Sequence, residues 1–135
     1  NNGPRTMSIT TPGISRKVIT VGCSDDDREV LVGGNRMVDY SGRGPTAACI
    51  CKPDLVAPGC SVVSCSSRAD KYTIKSGTSM STPIVSGAVA LLLERFPDMS
   101  NKDVKLRLRE SSVDIGLPRN QQGWGMLNVE KMIGK

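Results

Sequence analysis

A chain of 135 residues, 38% hydrophobic and 23% charged, has the length and composition of one small globular domain. No apolar run approaches the ~18 residues that a membrane span needs. The net charge of +5 comes from lysines and arginines spread along the chain, and one Trp, two Tyr and one Phe give neither the clustered basic stripe nor the stacking platforms of a nucleic-acid surface. Histidine is absent, so no side chain is poised by default to exchange a proton near neutral pH.

Asn1-Asn2-Gly3-Pro4 reads as a turn, and Ile9, Thr10 and Thr11 form a short extended piece that ends at Pro12-Gly13. Residues 17–22 are rich in β-branched side chains and bounded by Gly22, the pattern of a buried strand. The acidic cluster Asp25, Asp26, Asp27 and Glu29 offers calcium-type oxygen ligands, but it lacks the spaced order of a dedicated loop and reads more simply as a solvated turn. Residues 29–32 and 37–40, on either side of Gly33-Gly34-Asn35, suggest a hairpin. Pro53 and Pro58 bracket a short strand, since proline is tolerated at strand ends and not in the middle. Residues 61–65 and 72–75 are further extended pieces.

The five cysteines, Cys23, Cys49, Cys51, Cys60 and Cys65, are odd in number and share no repeated spacing. That pattern argues for mostly buried thiols in a reducing, cytoplasmic setting rather than a disulfide framework. Zinc is the alternative, but Cys49-Ile50-Cys51 lacks the gap of usual zinc pairs and there is no histidine to assist.

The chain is organised around Ser76-Gly77-Thr78-Ser79-Met80-Ser81-Thr82-Pro83 and the apolar run that follows. Thr78 or Ser79 can cap a helix, Pro83 falls near its first turn, and residues 84–93 are apolar nearly all round, which places the helix inside a domain. The hydroxyls could be caps and nothing more. A serine there also sits where free backbone N–H groups and the positive end of the helix dipole favour negative charge, and Gly77 lets another backbone approach. Ser86-Gly87-Ala88 calls for a close neighbour, because glycine costs about 1 kcal/mol relative to alanine within a helix.

Pro97 stops this helix and Ser100 opens the next, with Asp103 in its first turn and Met99 against Val104 as a hydrophobic staple. Val104 and Leu108 share a face, and Lys102, Lys105, Arg107 and Arg109 read as a solvated surface. Asn128 caps a final helix with Val129, Met132 and Ile133 on one side and Gly134 as its stop.

Gly-Thr-Ser-Met-Ser-Thr-Pro ahead of an apolar helix resembles the nucleophile motif of the subtilisin-like serine proteases, the subtilases. Four further stretches resemble that family in order: Asn1-Asn2-Gly3, residues 18–22, the pair formed by residues 41–45 and 52–59, and residues 124–128. The resemblance runs from Asn1 to about Ile133. It implies an α/β fold, the C-terminal part of a doubly wound, mostly parallel sheet, with residues 1–135 as the C-terminal segment of a single catalytic domain. It also implies Ser79 as nucleophile, Asn1 as oxyanion donor, Asn2 beside the specificity pocket and Thr10 on its wall. Asp54 becomes a candidate ligand for a weakly held structural calcium, with no cofactor required for catalysis. The family's Asp-Thr-Gly, His-Gly-Thr and Ser-x-Gly motifs do not occur in this sequence.

The expected activity is therefore serine endopeptidase chemistry on a polypeptide substrate, with the isolated chain inactive. Its expected partner is the N-terminal half of the same domain, since half a sheet leaves an apolar edge and one helix face uncovered; a homodimer of the fragment would be the other way to cover them. Two other readings stand beside it: a pseudoprotease or peptide-binding module on the same fold, and a metal or redox module built on the cysteines.

Overall fold

The computed structural model describes residues 2–25, 36–37, 41–67 and 71–134. In chain order the elements are β1 (Val21–Asp25), β2 (Arg36–Met37), β3 (Leu55–Pro58), β4 (Val62–Cys65), β5 (Tyr72–Lys75), α1 (Thr78–Arg95), α2 (Asn101–Ser111), α3 (Arg119–Gln122) and α4 (Val129–Ile133). The first three strands form a sheet in the order β2-β1-β3. β1 runs parallel to β3, with Val21 opposite Leu55 and Ser24 opposite Pro58, and antiparallel to β2. Met126 extends the free edge of β3 through a parallel bridge to Val56 and an antiparallel bridge to Val113. β4 and β5 form a separate antiparallel hairpin.

α1 lies across β1 and β3, α4 packs against α1, and α2 packs against α4. Leu55 and Ala57, two apart and so on one face of β3, enter a core with Val85, Ala88 and Leu92 of α1, Val104 and Leu108 of α2, and Met132 of α4. The mixed α/β architecture with parallel strands is the one expected. None of the described helices is long and apolar enough to cross a membrane.

The expected strand over residues 17–22 starts only at Val21. The backbone ahead of it is engaged by charged side chains instead of a neighbouring strand: Val18 O accepts from the ammonium groups of Lys52 and Lys105, and Thr20 N–H donates to the Asp54 carboxylate. The hairpin expected over residues 29–40 and the acidic residues 26–29 lie outside the described residues, apart from Arg36–Met37, which pair with β1.

α1 begins at Thr78, with Gly77 rather than a hydroxyl residue at the N-cap and no side-chain cap bond. Pro83 falls in the second turn, so the Ser79 carbonyl lacks the helical N–H it would otherwise accept. Although the run is apolar nearly all round, burial is confined to the stripe Thr78, Ser81, Val85, Ala88 and Leu92. Leu91, Leu93 and Phe96 are exposed by 49%, 36% and 37%. Gly87 faces open space, with nothing within 4 Å of where a Cβ would stand.

Ser100 caps α2 as expected, and the structure closes the cap into a reciprocal capping box: Asp103 N–H donates to Ser100 Oγ at 3.3 Å and Ser100 N–H donates to Asp103 Oδ2 at 2.9 Å. Asn128 Oδ1 accepts from Lys131 N–H at 2.8 Å at the start of α4. Two of the four cations read as solvated are instead structural. Arg107 donates through Nε to Met132 O at 2.7 Å and through Nη2 to Gly134 O, tying α2 to the end of α4. Lys105 donates to Arg16 O and Val18 O. The cysteines stand as thiols, but they are not mostly buried: only Cys23 is, while Cys49, Cys51 and Cys65 are exposed and Cys60 is half-buried.

Leu92→Ala should therefore cost about 2–5 kcal/mol in denaturant unfolding, and Leu91→Ala about 0.5 kcal/mol or less. Hydrogen bonds from the Ser100 hydroxyl and then its N–H hold the Asp103 carboxyl below its ordinary value of 3.8. Because the folded value is the lower one, the cap's contribution is complete above the ordinary value and is lost as pH falls through the folded one. An acid titration followed by far-ultraviolet circular dichroism should show that loss in the native chain and not in Asp103→Asn.

Candidate active site

The site is built where the chain leaves β3. Gly59 O accepts the Gly77 N–H at 2.8 Å, and Gly59 N–H donates to Ser24 O at the end of β1 at 3.3 Å. A Cβ on Gly59 would lie 2.2 Å from Ser81 Oγ and 2.5 Å from Cys23 Sγ, so only glycine allows the approach. Ser81, fully buried, adds a second tie by donating its hydroxyl to Ala57 O at 2.9 Å. Gly77, at φ 152° and ψ 161°, turns the chain into the helix, and its carbonyl accepts from Met80 N–H and Ser81 N–H.

This packing orients the two hydroxyls differently. Thr78 is buried, whereas Ser79, at the second helical position, is exposed. Among the described residues no acceptor meets the Ser79 N–H, which leaves it at the positive end of the helix dipole, a position that favours an anion.

Ser79 opens onto a cleft of about 350 Å³ whose walls include Thr82, Thr10, Pro12, Ile19 and Thr20. Thr10 thus stands in the same cleft as Ser79. None of the described lining residues is charged. Asn2 is exposed and outside this lining, and Asn1 lies outside the described residues. The loop carrying Thr10 is pinned by a reciprocal pair in which Ser8 N–H donates to Arg43 O at 3.0 Å and Arg43 N–H donates to Ser8 Oγ at 2.9 Å.

Asp54 has surroundings unlike those of a cation ligand. Its Oδ2 accepts from Lys52 Nζ at 2.6 Å and from Thr20 N–H at 2.8 Å, and its Oδ1 faces Lys105 Nζ at 3.2 Å. Both oxygens are taken by ammonium groups, so the donor set does not fit calcium. Among the described residues no cluster of three or more His, Cys, Asp or Glu could hold a metal. Lys52 is 1% exposed. Burial lowers its pKa below the ordinary value, opposed by its hydrogen bond to Asp54 and by that residue's charge. Lys52 and Asp54 are neighbours in the sequence, on either side of Pro53 and just ahead of β3. Nothing local announces Lys105 as their third member.

An exposed serine at the start of α1 thus opens into an uncharged cleft beside parallel strands. The Subtilase family model matches residues 1–125, and the chain belongs to that family. Serine protease AprX of Bacillus subtilis (strain 168) is 38% identical over 148 residues, covering 98% of this chain and 33% of AprX. Halolysin of Haloferax mediterranei is 32% identical, covering 94% of this chain and 22% of its own length. The structure of the CspB protease of Clostridium perfringens superposes with a TM-score of 0.82 at 29% identity, over 95% of this chain and 28% of that one. The chain thus spans about a third or less of the length of these relatives.

Gly59→Ala should destabilise the fold by about 1–3 kcal/mol through overpacking against Ser81 and Cys23. Gly87→Ala, in open space, should instead gain up to about 1 kcal/mol of helix propensity. Thermal or denaturant unfolding of the two variants side by side checks both signs.

Proposed function

We propose that the chain is the C-terminal segment of a subtilisin-like endopeptidase domain, in which Ser79 attacks the carbonyl carbon of a peptide bond. The observation that carries this reading is the exposed Ser79 at the mouth of α1, opening onto the uncharged cleft. In the reaction the hydroxyl proton passes to a base as the tetrahedral intermediate forms. The Ser79 N–H and the Asn1 side-chain amide hold the oxyanion, a donor of this kind being worth about 3 kcal/mol. With no histidine in its sequence, the chain relies on a base, and on a carboxylate to orient that base, from the N-terminal half of the domain. Thr10 forms part of the wall that receives the substrate side chain, and Asn2 flanks it. The uncharged lining selects uncharged side chains at the cleaved bond, since an unpaired charge there would be costly to desolvate.

Two surfaces support the N-terminal half as the partner. A groove of about 230 Å³ runs between Ile19 and Val21 on one side and Val85 and Val89 of α1 on the other, and Gly87 of the same helix stands in open space. On the β4–β5 hairpin, Val63 pairs with Ile74 and Cys65 with Tyr72, so all four share a face; Val63, Tyr72 and Ile74 are exposed by 63–66%. A second copy of the chain is the competing occupant, and sizing in solution separates the two.

Peptide hydrolysis and fluorophosphonate labelling of the chain alone, and of the chain co-produced with an N-terminal half bearing aspartate and histidine, test the proposal. The chain alone should give background turnover. The assembly should cleave peptides and label at Ser79, with Ser79→Ala lowering turnover by about 10⁴-fold or more. Gly87→Leu should leave the chain folded yet block assembly. Robust turnover by the chain alone would overturn the division of labour. Peptide binding without turnover in the assembly would favour a binding module.

A further inference from the structure

The segment just before β1 forms one wall of the Ser79 cleft, but it has no strand partner of its own until Val21. Charged side chains hold it. Lys52 Nζ donates to Val18 O at 3.1 Å and to Thr20 Oγ1 at 3.0 Å, and the Thr20 hydroxyl passes its own proton on to Gly13 O at 2.6 Å. Lys105 Nζ, reaching across from α2, donates to Arg16 O at 2.8 Å and to Val18 O at 2.9 Å. Asp54 lies between the two ammonium groups, one oxygen toward each, and exchanges backbone bonds with Thr20: Asp54 N–H donates to Thr20 O, and Thr20 N–H donates to the carboxylate, both at 2.8 Å.

Of the residues gripped by this network, Gly13, Val18 and Thr20 line the cleft, and Arg16 lies just outside its lining. We propose that Lys52, Asp54 and Lys105 are positioning residues for substrate binding: two ammonium groups sharing one carboxylate fix the cleft wall opposite Ser79. Lys105 is the key member because it alone joins the wall to a different helix, and the Trp124 ring, 5.9 Å from its Nζ, flanks its approach. The arrangement is tightly interdependent. Lys52 is almost fully buried, so removing Asp54 would leave its charge without a partner; removing Lys105, whose side chain is 22% exposed, takes the donor from Arg16 O, one of two donors from Val18 O and one cation from the carboxylate. A wall held through carbonyl oxygens should shift when the donors go, and a shift of about 1 Å in a substrate wall is enough to weaken productive binding severely.

This inference rests on the reading of the cleft as the substrate site, and the test separates the two. In the assembled protease, Lys105→Met should raise KM for peptide substrates about fivefold or more with kcat within about twofold, the signature of lost binding rather than lost chemistry. Amide exchange at residues 18–20 should accelerate about tenfold or more while α1 stays protected. Lys105→Arg, which keeps the charge and the carbonyl donors, should recover most of both effects. Should Lys105→Met fail to fold, Lys105→Gln, neutral but still an N–H donor, carries the same readouts. Unchanged exchange at residues 18–20, or an unchanged KM in a folded variant, overturns the positioning role. Absence of peptidase activity in the parent assembly would overturn the proposed function instead, and the exchange measurement would still decide whether the lysines hold the wall.

Discussion

The position of Ser79 depends on one contact between two backbones, the Gly77 N–H on the Gly59 carbonyl. Because Gly59 carries no Cβ, the mouth of α1 settles directly on the chain leaving β3, and Ser81 beneath it can reach Ala57. The first turn of α1 is thereby set at the C-terminal ends of two parallel strands, where open α/β sheets collect their functional groups. Ser79 points outward because its neighbours Thr78 and Ser81 are held inward.

Electrostatics governs the opposite wall. A lone buried ammonium would be expensive to desolvate, yet Lys52 is almost wholly enclosed. Its cost is offset by the Asp54 carboxylate and by carbonyl and hydroxyl oxygens that replace its hydration shell. Lys105 completes the set from the far side. The same packing explains why Asp54 does not suit calcium: the positive charge that its carboxylate needs is supplied from within the chain.

Much of this was legible in the residues. The order of motifs announced the family, Ser100 announced the N-terminus of α2, and residues 61–65 and 72–75 were legible as extended pieces, though not as partners of one another. Other features were hidden for physical reasons. An apolar run such as residues 84–93 does not disclose which stripe its own chain buries, and here the answer depends on what the chain packs against. The β-branched run at residues 17–22 looked like a strand because propensity takes no account of side chains competing for the backbone. Lys105 and Arg107 looked solvated because charge periodicity locates the face away from the core. It says nothing of how far a long aliphatic stem can carry its head group. Gly59 was visible as part of a motif, but its role emerged only when Cys23 and Ser81 were found against it.

The β4–β5 hairpin has a practical side for anyone producing the 135 residues on their own. Among the described residues it is a two-stranded ribbon with no third strand along it, and its apolar face is open to solvent. Open edges next to exposed Val63, Tyr72 and Ile74 are the ingredients of intermolecular strand addition. What opposes that process is the mutual repulsion of molecules carrying a net charge of +5. Salt screens such repulsion while leaving apolar attraction intact. Raising buffer ionic strength therefore weakens the repulsion that opposes strand addition between copies of the chain.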